Sequence, residues 1–354
     1  MIRPLARGVP ALRWEINRFS SAALILLIAG TAAVPDDSAA QKPALEFAEI
    51  ASRADVRFDP GDGEPKVPER FRLAAHDFEC RARPVRSGSR FRLVRVTFPS
   101  PVITEVPENN TVHAEYFQPA GSGPFPACVV LHILGGDFLL AETVASHLAR
   151  QGVAALFVKM PYYGPRRGKD SPRRMISEDP RETVVGMTQA VLDIRRATAW
   201  LASRGEVDAD RLGITGISLG GIMSALAAAG EPRLKNVAIF LGGGNFAEIL
   251  WANETDRAQA FRKRWLAAGE TRETFCEIVN QIDPMTYGHL LKGRRVLMIA
   301  GKEDEIIPPR SAEALWESIG REPELVWLDA GHYTAIRYLP QELVRLDLFF
   351  NGKK

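Results

Sequence analysis

Ser218 lies in the pentapeptide GISLG, between Gly216 and Gly220, and a third glycine, Gly221, follows. Glycine is costly inside regular structure, so three glycines beside one serine indicate that the local backbone geometry is being set for that serine. The pattern G-x-S-x-G, between an apolar segment and a run of small residues, is typical of a sharp strand-to-helix turn that exposes a strained nucleophile. We therefore interpret Ser218 as the nucleophile of a hydrolytic reaction.

An activated serine needs a general base, which is most often an imidazole. Two histidines follow Ser218 in the chain, His289 and His332. His332 comes directly after the segment ELVWLDAG, at a predicted strand end, whereas His289 lies in a turn or short helix ahead of another strand. We predict that His332 is the base and that His289 is a surface or packing residue.

The base in turn needs a carboxylate that orients it, and with this kind of turn the acid lies between the serine and the histidine in the chain. Asp304 follows the apolar segment VLMIAG and is the predicted acid. Glu303, Glu305 and Asp329 are its rivals. Because Asp329 is only three residues before His332, we interpret it as a residue that shapes the histidine loop.

Hydrolysis of an acyl group also needs donors for the developing oxyanion. One is expected to be the backbone N–H of Leu219, the residue after the nucleophile. The other is expected in the segment LHILGGDF after an early strand, where Leu134 is the candidate and Ile133 the alternative. His132, in the same segment, is interpreted as structural.

A further candidate segment, MPYYGPRRG, also follows a predicted strand end. In this segment Tyr162 and Tyr163 are candidates for substrate contact, and Arg166 and Arg167 for binding an acidic group. The alternative is a solvated loop with packed tyrosines, which the sequence favours slightly.

Strands and helices alternate along the chain, and the central strands are continuously apolar, as in strands buried on both faces. This pattern predicts an α/β fold with a doubly wound, mostly parallel sheet of about eight strands and helices on both faces. In such sheets the functional groups lie at the carboxyl ends of the strands. The segments read as strands are 91–101, 112–119, 127–134, 154–164, 211–218, 236–244, 294–301 and 324–331.

The chain is predicted to divide around this sheet. Residues 34–84, rich in Pro, Asp, Gly and Ala at their start, are interpreted as a linker and N-terminal arm, and residues 85–354 as the α/β domain. Within that domain, residues 246–292 hold two or three helical stretches. Their aromatic residues form either a small cap over the pocket or ordinary helix packing: Trp251, Phe261, Trp265 and Phe275.

The N-terminus has a pattern of its own. Four arginines precede the apolar run AALILLIAGTAAV, and small residues end it. This is the pattern of a secretory signal peptide over residues 1–33, with cleavage after Ala33 or Ala40. The run is short for a membrane span, which needs about 20 residues. We expect an exported protein, periplasmic or secreted, without a stable membrane span. The alternatives are an uncleaved anchor and a wrongly assigned start codon.

Composition excludes several classes of protein. Of the 354 residues, 46% are hydrophobic and 25% are charged, and the formal net charge is +2. These values are ordinary for a globular protein and give no basic footprint for nucleic acid. No zinc-ligand spacing or phosphate loop is present, so we expect no metal and no organic cofactor. Three cysteines do not make a disulfide framework, although pairing of Cys80 with Cys276 stays open.

Taken together, the motifs LHILGG, VDADRLGITGISLGG, VLMIAGKEDEIIPP and LDAGHY resemble those of the α/β-hydrolase superfamily, over about residues 85–350. The segment around Ser218 is most similar to the group that includes dienelactone hydrolases, acetyl xylan esterases and prolyl-oligopeptidase-type peptidases. Dienelactone hydrolases proper use cysteine, so a serine argues against that activity. The HILGG segment also lacks the H-G-G-G form of hormone-sensitive-lipase-like esterases.

The resemblance implies a serine esterase that acts on a small-molecule or acylated-carbohydrate ester through an acyl-enzyme. Two other readings stay open. One is a serine peptidase on the same fold, although about 60 residues of arm are few for a substrate-screening domain. The other is a non-catalytic binding protein, which would normally have lost a member of the triad. Neither the ester itself nor the oligomeric state can be read from the sequence.

Overall fold

A computed structural model describes residues 47–251 and 253–352, and within these residues ten strands form one sheet. The predicted signal peptide and both cleavage sites lie outside the described residues. In chain order the strands are β1 (Arg53–Phe58), β2 (His76–Ser87), β3 (Phe91–Pro99), β4 (Thr111–Pro119), β5 (Phe125–Leu131), β6 (Ala154–Lys159), β7 (Val207–Ile217), β8 (Asn236–Phe240), β9 (Arg295–Gly301) and β10 (Glu324–Leu328).

Helices connect most of the strands in the second half of the chain. The α-helices among the described residues are α1 (Leu139–Arg150), α2 (Pro180–Ala202), α3 (Leu219–Gly230), α4 (Phe246–Trp251), α5 (Asp256–Ala267), α6 (Arg272–Val279), α7 (Pro309–Ser318) and α8 (Leu339–Asn351). Short 3₁₀ helices lie at Glu64–Lys66, Glu69–Phe71, Pro107–Asn110, Gly164–Arg166, Pro284–Leu291 and Thr334–Tyr338.

The spatial order of the strands is β1-β2-β3-β4-β6-β5-β7-β8-β9-β10. Neighbouring strands pair in parallel along the part of the sheet with the order β6-β5-β7-β8-β9-β10. Strands β1 to β4 pair antiparallel with one another, and β4 also pairs antiparallel with β6. The predicted α/β class is therefore confirmed. The parallel half holds the carboxyl ends at which the sequence analysis placed the functional side chains.

The apolar central strands are buried on both faces, as predicted. Along β5, Ala127, Val129 and Leu131 belong to one hydrophobic core, while Cys128 and Val130 belong to a second. Helices α2, α3 and α7 contribute to the first core, and α1 and α8 to the second. Because side chains alternate across a strand, a run without polar residues can be stable only when helices cover both faces.

The sheet has ten strands rather than about eight, and the two additional strands come from the N-terminal region. The structure places residues 53–84 mostly in β1, β2 and their connection, so the predicted boundary at residue 85 falls inside β2. Both strands alternate apolar with charged residues, because only one of their faces packs on the core. Strands that alternate in this way have no continuous apolar run and are easily mistaken for a linker. Their core-facing residues are Val56, Phe58, Phe78, Cys80 and Ala82.

Residues 246–282, here called the helical insertion, contain α4, α5 and α6. The four aromatic side chains noted in the sequence pack on one another, with ring centroids 4.9 Å apart for Trp251 and Phe275 and 5.8 Å apart for Phe261 and Trp265. They form a hydrophobic cluster of their own, apart from the two main cores. Its position as a cap over the pocket stays a prediction.

No helix within residues 47–251 and 253–352 is long and apolar enough to cross a membrane. Cys80, Cys128 and Cys276 are free thiols, the first two of them buried.

Candidate active site

Ser218 occupies the turn between β7 and α3. Its backbone has φ 58° and ψ −119°, a positive-φ conformation that is strained for a residue with a side chain. The Ser218 N–H donates to the carbonyl of Phe240 at the end of β8, over 2.9 Å, which ties the turn to the neighbouring strand. The strained turn therefore presents the serine at the carboxyl edge of the sheet, as the G-x-S-x-G pattern predicts.

The glycines around Ser218 are explained by close approaches of backbone to backbone. A Cβ on Gly220 would lie 2.7 Å from the carbonyl oxygen of Leu131, and one on Gly221 would lie 2.5 Å from that of Phe240. A Cβ on Gly216 would collide with the backbone of Gly220 across the turn. Any larger residue would push the turn away from β5 and β8, so these positions need glycine.

His332 lies just beyond β10, and its ring reaches the serine. The Nε2 atom is 2.9 Å from Ser218 Oγ, and the Nδ1 atom is 2.8 Å from Asp304 Oδ2. A carboxylate can only accept a hydrogen bond, so Nδ1 carries the proton and Nε2 is free to accept the serine hydroxyl proton. The three side chains form one continuous hydrogen-bonded chain.

Asp304 lies in the loop after β9 and is almost fully buried. While Oδ2 faces the imidazole, Oδ1 accepts the backbone N–H groups of Ile306 over 2.9 Å and Ile307 over 2.7 Å. Both oxygens thus have partners, as a buried carboxylate requires. The carboxylate cannot rotate without breaking bonds to its own loop, so its direction toward the imidazole is preset.

The rival candidates lie elsewhere or contact other groups. His289 is exposed on the 3₁₀ helix at Pro284–Leu291. Asp329 is exposed and pairs with Lys302 over 2.6 Å, and this contact lowers the pKa of its carboxyl. Glu303 is exposed as well. Glu305 contacts His332 through the backbone rather than the ring, with its Oε2 accepting the His332 N–H over 3.0 Å.

The two predicted oxyanion donors belong to the serine turn and to the loop after β5. Leu219 is the first residue of α3, so its N–H has no acceptor within the helix. Leu134 lies in the loop after β5, with its side chain 48% exposed, and is followed by Gly135 and Gly136, both at positive φ. The start of that loop touches the turn, since a Cβ on Gly220 would also lie 2.9 Å from the carbonyl oxygen of His132.

His132 is buried and shapes this loop, in agreement with its structural interpretation. Its Nε2 accepts the N–H of Met160 over 3.1 Å, so Nδ1 is the protonated nitrogen that donates to the carbonyl of Ile133 over 2.8 Å. Burial lowers the pKa of His132 to about 4. The imidazole is therefore neutral near pH 7 and links the loop after β5 to the end of β6.

The fold around this chain of side chains matches known proteins. A family model described as alpha/beta hydrolase domain containing 18 matches residues 72–242, and the model of the prolyl oligopeptidase family matches residues 187–332. The chain has the α/β-hydrolase fold. Acetyl xylan esterase 1 from Thermoanaerobacterium sp. JW/SL YS485 superposes with a TM-score of 0.61 at 20% identity, covering 77% of this chain and 87% of that one. At this identity the likeness concerns the fold alone.

The chain also matches curated proteins over part of its length. An uncharacterized protein of Mycobacterium tuberculosis is 30% identical over 184 residues, 51% of this chain and 42% of the relative. A putative carboxymethylenebutenolidase of Methylorubrum extorquens is 30% identical over 155 residues, 43% of this chain and 52% of the relative. The chain thus spans about half the length of the curated relatives it matches.

In the tyrosine segment, the structure differs from the predicted substrate contact. Tyr162 is only 3% exposed and packs in the main core, so the structure gives its side chain a packing position rather than a substrate-facing one. Tyr163 packs edge-on against His132, with ring centroids 4.6 Å apart, and lies beside Gly136. Tyr163 therefore supports the loop that carries Leu134.

Arg166 is not available to bind an acidic ligand, because it is fully buried. Its guanidinium pairs with Asp193 of α2 over 2.8 Å and donates to the carbonyls of Asn109 and Lys159 over 2.7 and 3.1 Å. Burial raises the pKa of Asp193, while the guanidinium acts in the opposite direction. The pair holds the tyrosine segment against α2, a partnership that no local sequence signal could reveal.

Sequence reasoning also missed Asp283, a fully buried carboxylate at the end of the helical insertion. Its two oxygens accept the N–H groups of Asn245, Phe246 and Met285 over 3.0, 2.6 and 2.9 Å. The dipeptide Asp283-Pro284 is a recognisable helix start, but only the fold shows that it also binds the first residues of the insertion.

Proposed function

We propose that this protein is a serine hydrolase that cleaves a carboxylic ester through an acyl-enzyme. The observation that carries the proposal is the unbroken chain from Ser218 Oγ through the His332 ring to Asp304, with distances of 2.9 and 2.8 Å. These are the contacts that a nucleophile, its base and the orienting acid need.

The reaction follows from this geometry. Ser218 Oγ attacks the acyl carbon while His332 Nε2 takes the hydroxyl proton, and Asp304 stabilises the imidazolium that forms. The carbonyl oxygen becomes negative and is bound by the N–H groups of Leu219 and Leu134. The ester C–O bond then breaks, and His332 gives its proton to the leaving alcohol. In the second half a water, deprotonated by His332, attacks the acyl-enzyme. His332 then returns this proton to Ser218 Oγ as the acyl–oxygen bond breaks, and the acid is released.

A small-molecule ester or an acylated carbohydrate is the proposed substrate. The fold is shared with two acetyl xylan esterases, the second from Paenibacillus sp. R4 at 21% identity and a TM-score of 0.61, over 76% of this chain and 87% of that one. The name of a further relative, a putative carboxymethylenebutenolidase, also supports an ester hydrolase. Serine as nucleophile, rather than cysteine, supports an esterase over a dienelactone hydrolase proper.

A serine peptidase is the second candidate, and the match to the prolyl oligopeptidase family over residues 187–332 favours it. The same three side chains would serve either reaction. The N-terminal residues that the structure describes add the two strands β1 and β2 to the sheet, so these residues do not form a separate screening domain. A non-catalytic binding role is disfavoured by the hydrogen-bonded triad.

The test is a panel of short- to long-chain aryl esters, acetylated sugars and prolyl peptide amides, measured with the wild-type protein and with Ser218→Ala. Loss of a triad nucleophile costs on the order of 10⁶ in kcat, so the variant should have no measurable esterase turnover. Ser146→Ala, on α1 and away from the turn, is the matched control and should retain wild-type turnover. A folded Ser218→Ala protein with near-wild-type turnover would refute the mechanism, and faster cleavage of peptide amides than of esters would favour the peptidase.

A further inference from the structure

His332 is held by two neighbouring acidic residues, not one. Asp304 binds the ring at Nδ1, and the next residue, Glu305, accepts the backbone N–H of His332 with its Oε2 over 3.0 Å. The loop after β9 therefore contacts both the side chain and the main chain of the same histidine. The proposed mechanism uses the first of these contacts and leaves the second unexplained.

Gly331, the residue before the histidine, leaves space for this contact because it has no side chain. A Cβ on Gly331 would lie 2.6 Å from Oε2 of Glu305 and 3.1 Å from the carbonyl oxygen of Glu303. Real Cβ atoms almost never approach an oxygen as closely as 2.6 Å, so a side chain at position 331 would displace the carboxylate. The glycine of the GH dipeptide thus makes room for Glu305 beside the His332 amide.

The contact extends a backbone pairing between the loop after β9 and the loop after β10. The N–H of Lys302 donates to the carbonyl of Leu328 over 2.9 Å, and that of Glu303 donates to the carbonyl of Ala330 over 3.1 Å. The carboxylate of Glu305 extends this pairing by one step, to the amide of His332 itself. Because the ring is attached to that main chain, the pairing fixes where Nε2 lies relative to Ser218.

A hydrogen bond from a backbone N–H to a carboxylate is charge-assisted and stronger than one to a neutral acceptor. Glu305 is exposed, so its contribution to overall stability is small compared with that of a buried pair. We expect the Glu305 contact to affect mainly the position of one loop residue, His332. Catalytic geometry is sensitive on this scale, since a displacement of about 1 Å can cost roughly 100-fold in rate.

We propose that Glu305 is a positioning residue, which holds the main chain of His332 so that its imidazole stays within reach of Ser218. This inference rests on the proposed function, because it concerns the same serine and base. It assigns the two consecutive acids different tasks: Asp304 orients the ring, and Glu305 locates the backbone that carries it.

The test compares Glu305→Ala, which removes the acceptor, with Glu305→Gln, whose amide oxygen can still accept the N–H. Glu303→Ala is the matched control, since Glu303 flanks Asp304 on the other side and is also an exposed acid. The main readout is the rate at which a fluorophosphonate labels Ser218, because this reagent needs an activated serine but no particular substrate. Ester turnover supplies kcat and KM separately.

We expect Glu305→Ala to lower the labelling rate and kcat by about tenfold with KM changed less than twofold, as misplacement of the base predicts. Glu305→Gln should recover most of the loss, and Glu303→Ala should match the wild type. The His332 amide should exchange with deuterium faster in Glu305→Ala than in Glu305→Gln. Equal rates for all variants, or equal losses in the Glu303 and Glu305 variants, would overturn the proposal.

Two other outcomes are separated by the same experiment. If Glu305→Ala does not fold, Glu305→Asp replaces it, because the shorter side chain draws the carboxylate back from the amide; an unchanged labelling rate in that variant overturns the proposal. If the wild type is labelled no faster than Ser218→Ala, the proposed function itself fails. If the wild type is labelled faster than Ser218→Ala but the Glu305 variants are labelled at the wild-type rate, only the positioning role is refuted.

Discussion

At the scale of single residues, several carboxylates lie near one another in the chain, and their partners distinguish them. Asp304 is buried, with one oxygen on its own loop and the other on the imidazole. Asp329 is exposed and faces Lys302. Only a carboxylate that is held in place can keep the imidazole in the tautomer that accepts the serine proton. The orientation of the imidazole therefore depends on Asp304 rather than on Asp329.

Asp304→Asn is expected to lower kcat by roughly 10⁴-fold, because an amide no longer secures the tautomer with the proton on Nδ1. Ester turnover of the folded variant is the measurement. Asp329→Asn serves as the control with the same chemical change at an exposed acid, and it should retain wild-type turnover. A large loss of ester turnover in Asp329→Asn alone would indicate that Asp329, and not Asp304, is the orienting acid.

At the scale of elements, Asp283 joins the two ends of the helical insertion. Its buried carboxylate accepts two N–H groups at the start of the insertion and one just after its end. Burial raises the pKa of this carboxyl, and the three donors act in the opposite direction. One side chain thereby closes residues 246–282 into a loop with a fixed base beside β8. The insertion adds its own aromatic cluster.

Asp283→Ala should destabilise the protein by about 3 kcal/mol, since three backbone donors lose their acceptor in a buried place. Urea unfolding measures the loss, and hydrogen exchange should show faster opening of α4 and α6 than of β5 and β7. Glu277→Ala, an exposed change on α6, is the control and should alter stability by less than about 0.5 kcal/mol. Uniform exchange across the domain would argue against a local closure at Asp283.

At the scale of the whole molecule, the sheet has two different halves. Strands β5 to β10, with the parallel pairs, hold the candidate active site at their carboxyl ends, whereas β1 to β4 add antiparallel strands at one side. We also propose export, which rests on the basic and apolar pattern of residues 1–33, outside the described residues. The proposal concerns the whole chain and is independent of the mechanism.

If the protein is exported, its mature chain should begin near Val34 or Gln41 and be found outside the cytoplasm, because the apolar run has the length and flanks of a cleaved signal. N-terminal sequencing and fractionation of protein from the native host are the measurements. An intact Met1 on a cytoplasmic protein would contradict export. Uncleaved chain in the membrane fraction would instead indicate an anchor.

The sequence alone determined what depends on local geometry. The glycines around Ser218 are required by close approaches within one turn, so the turn could be recognised from its own residues. The unbroken apolar runs predicted two-sided burial for the same reason, since a strand carries its own alternation. The order of Ser218, Asp304 and His332, each just past the end of a strand, then identified the three side chains that the structure joins.

The tertiary structure decided what depends on residues far apart in the chain. Arg166, a candidate for binding an acidic group, pairs instead with Asp193 of α2. The residues around Asp283 indicate at most a helix start, and only the fold shows its bonds to Asn245 and Phe246. Strands β1 and β2 looked like a linker because only one of their faces is apolar. Polar residues show no periodic pattern that reveals their partners, since packing brings those partners together and the sequence does not record the distance.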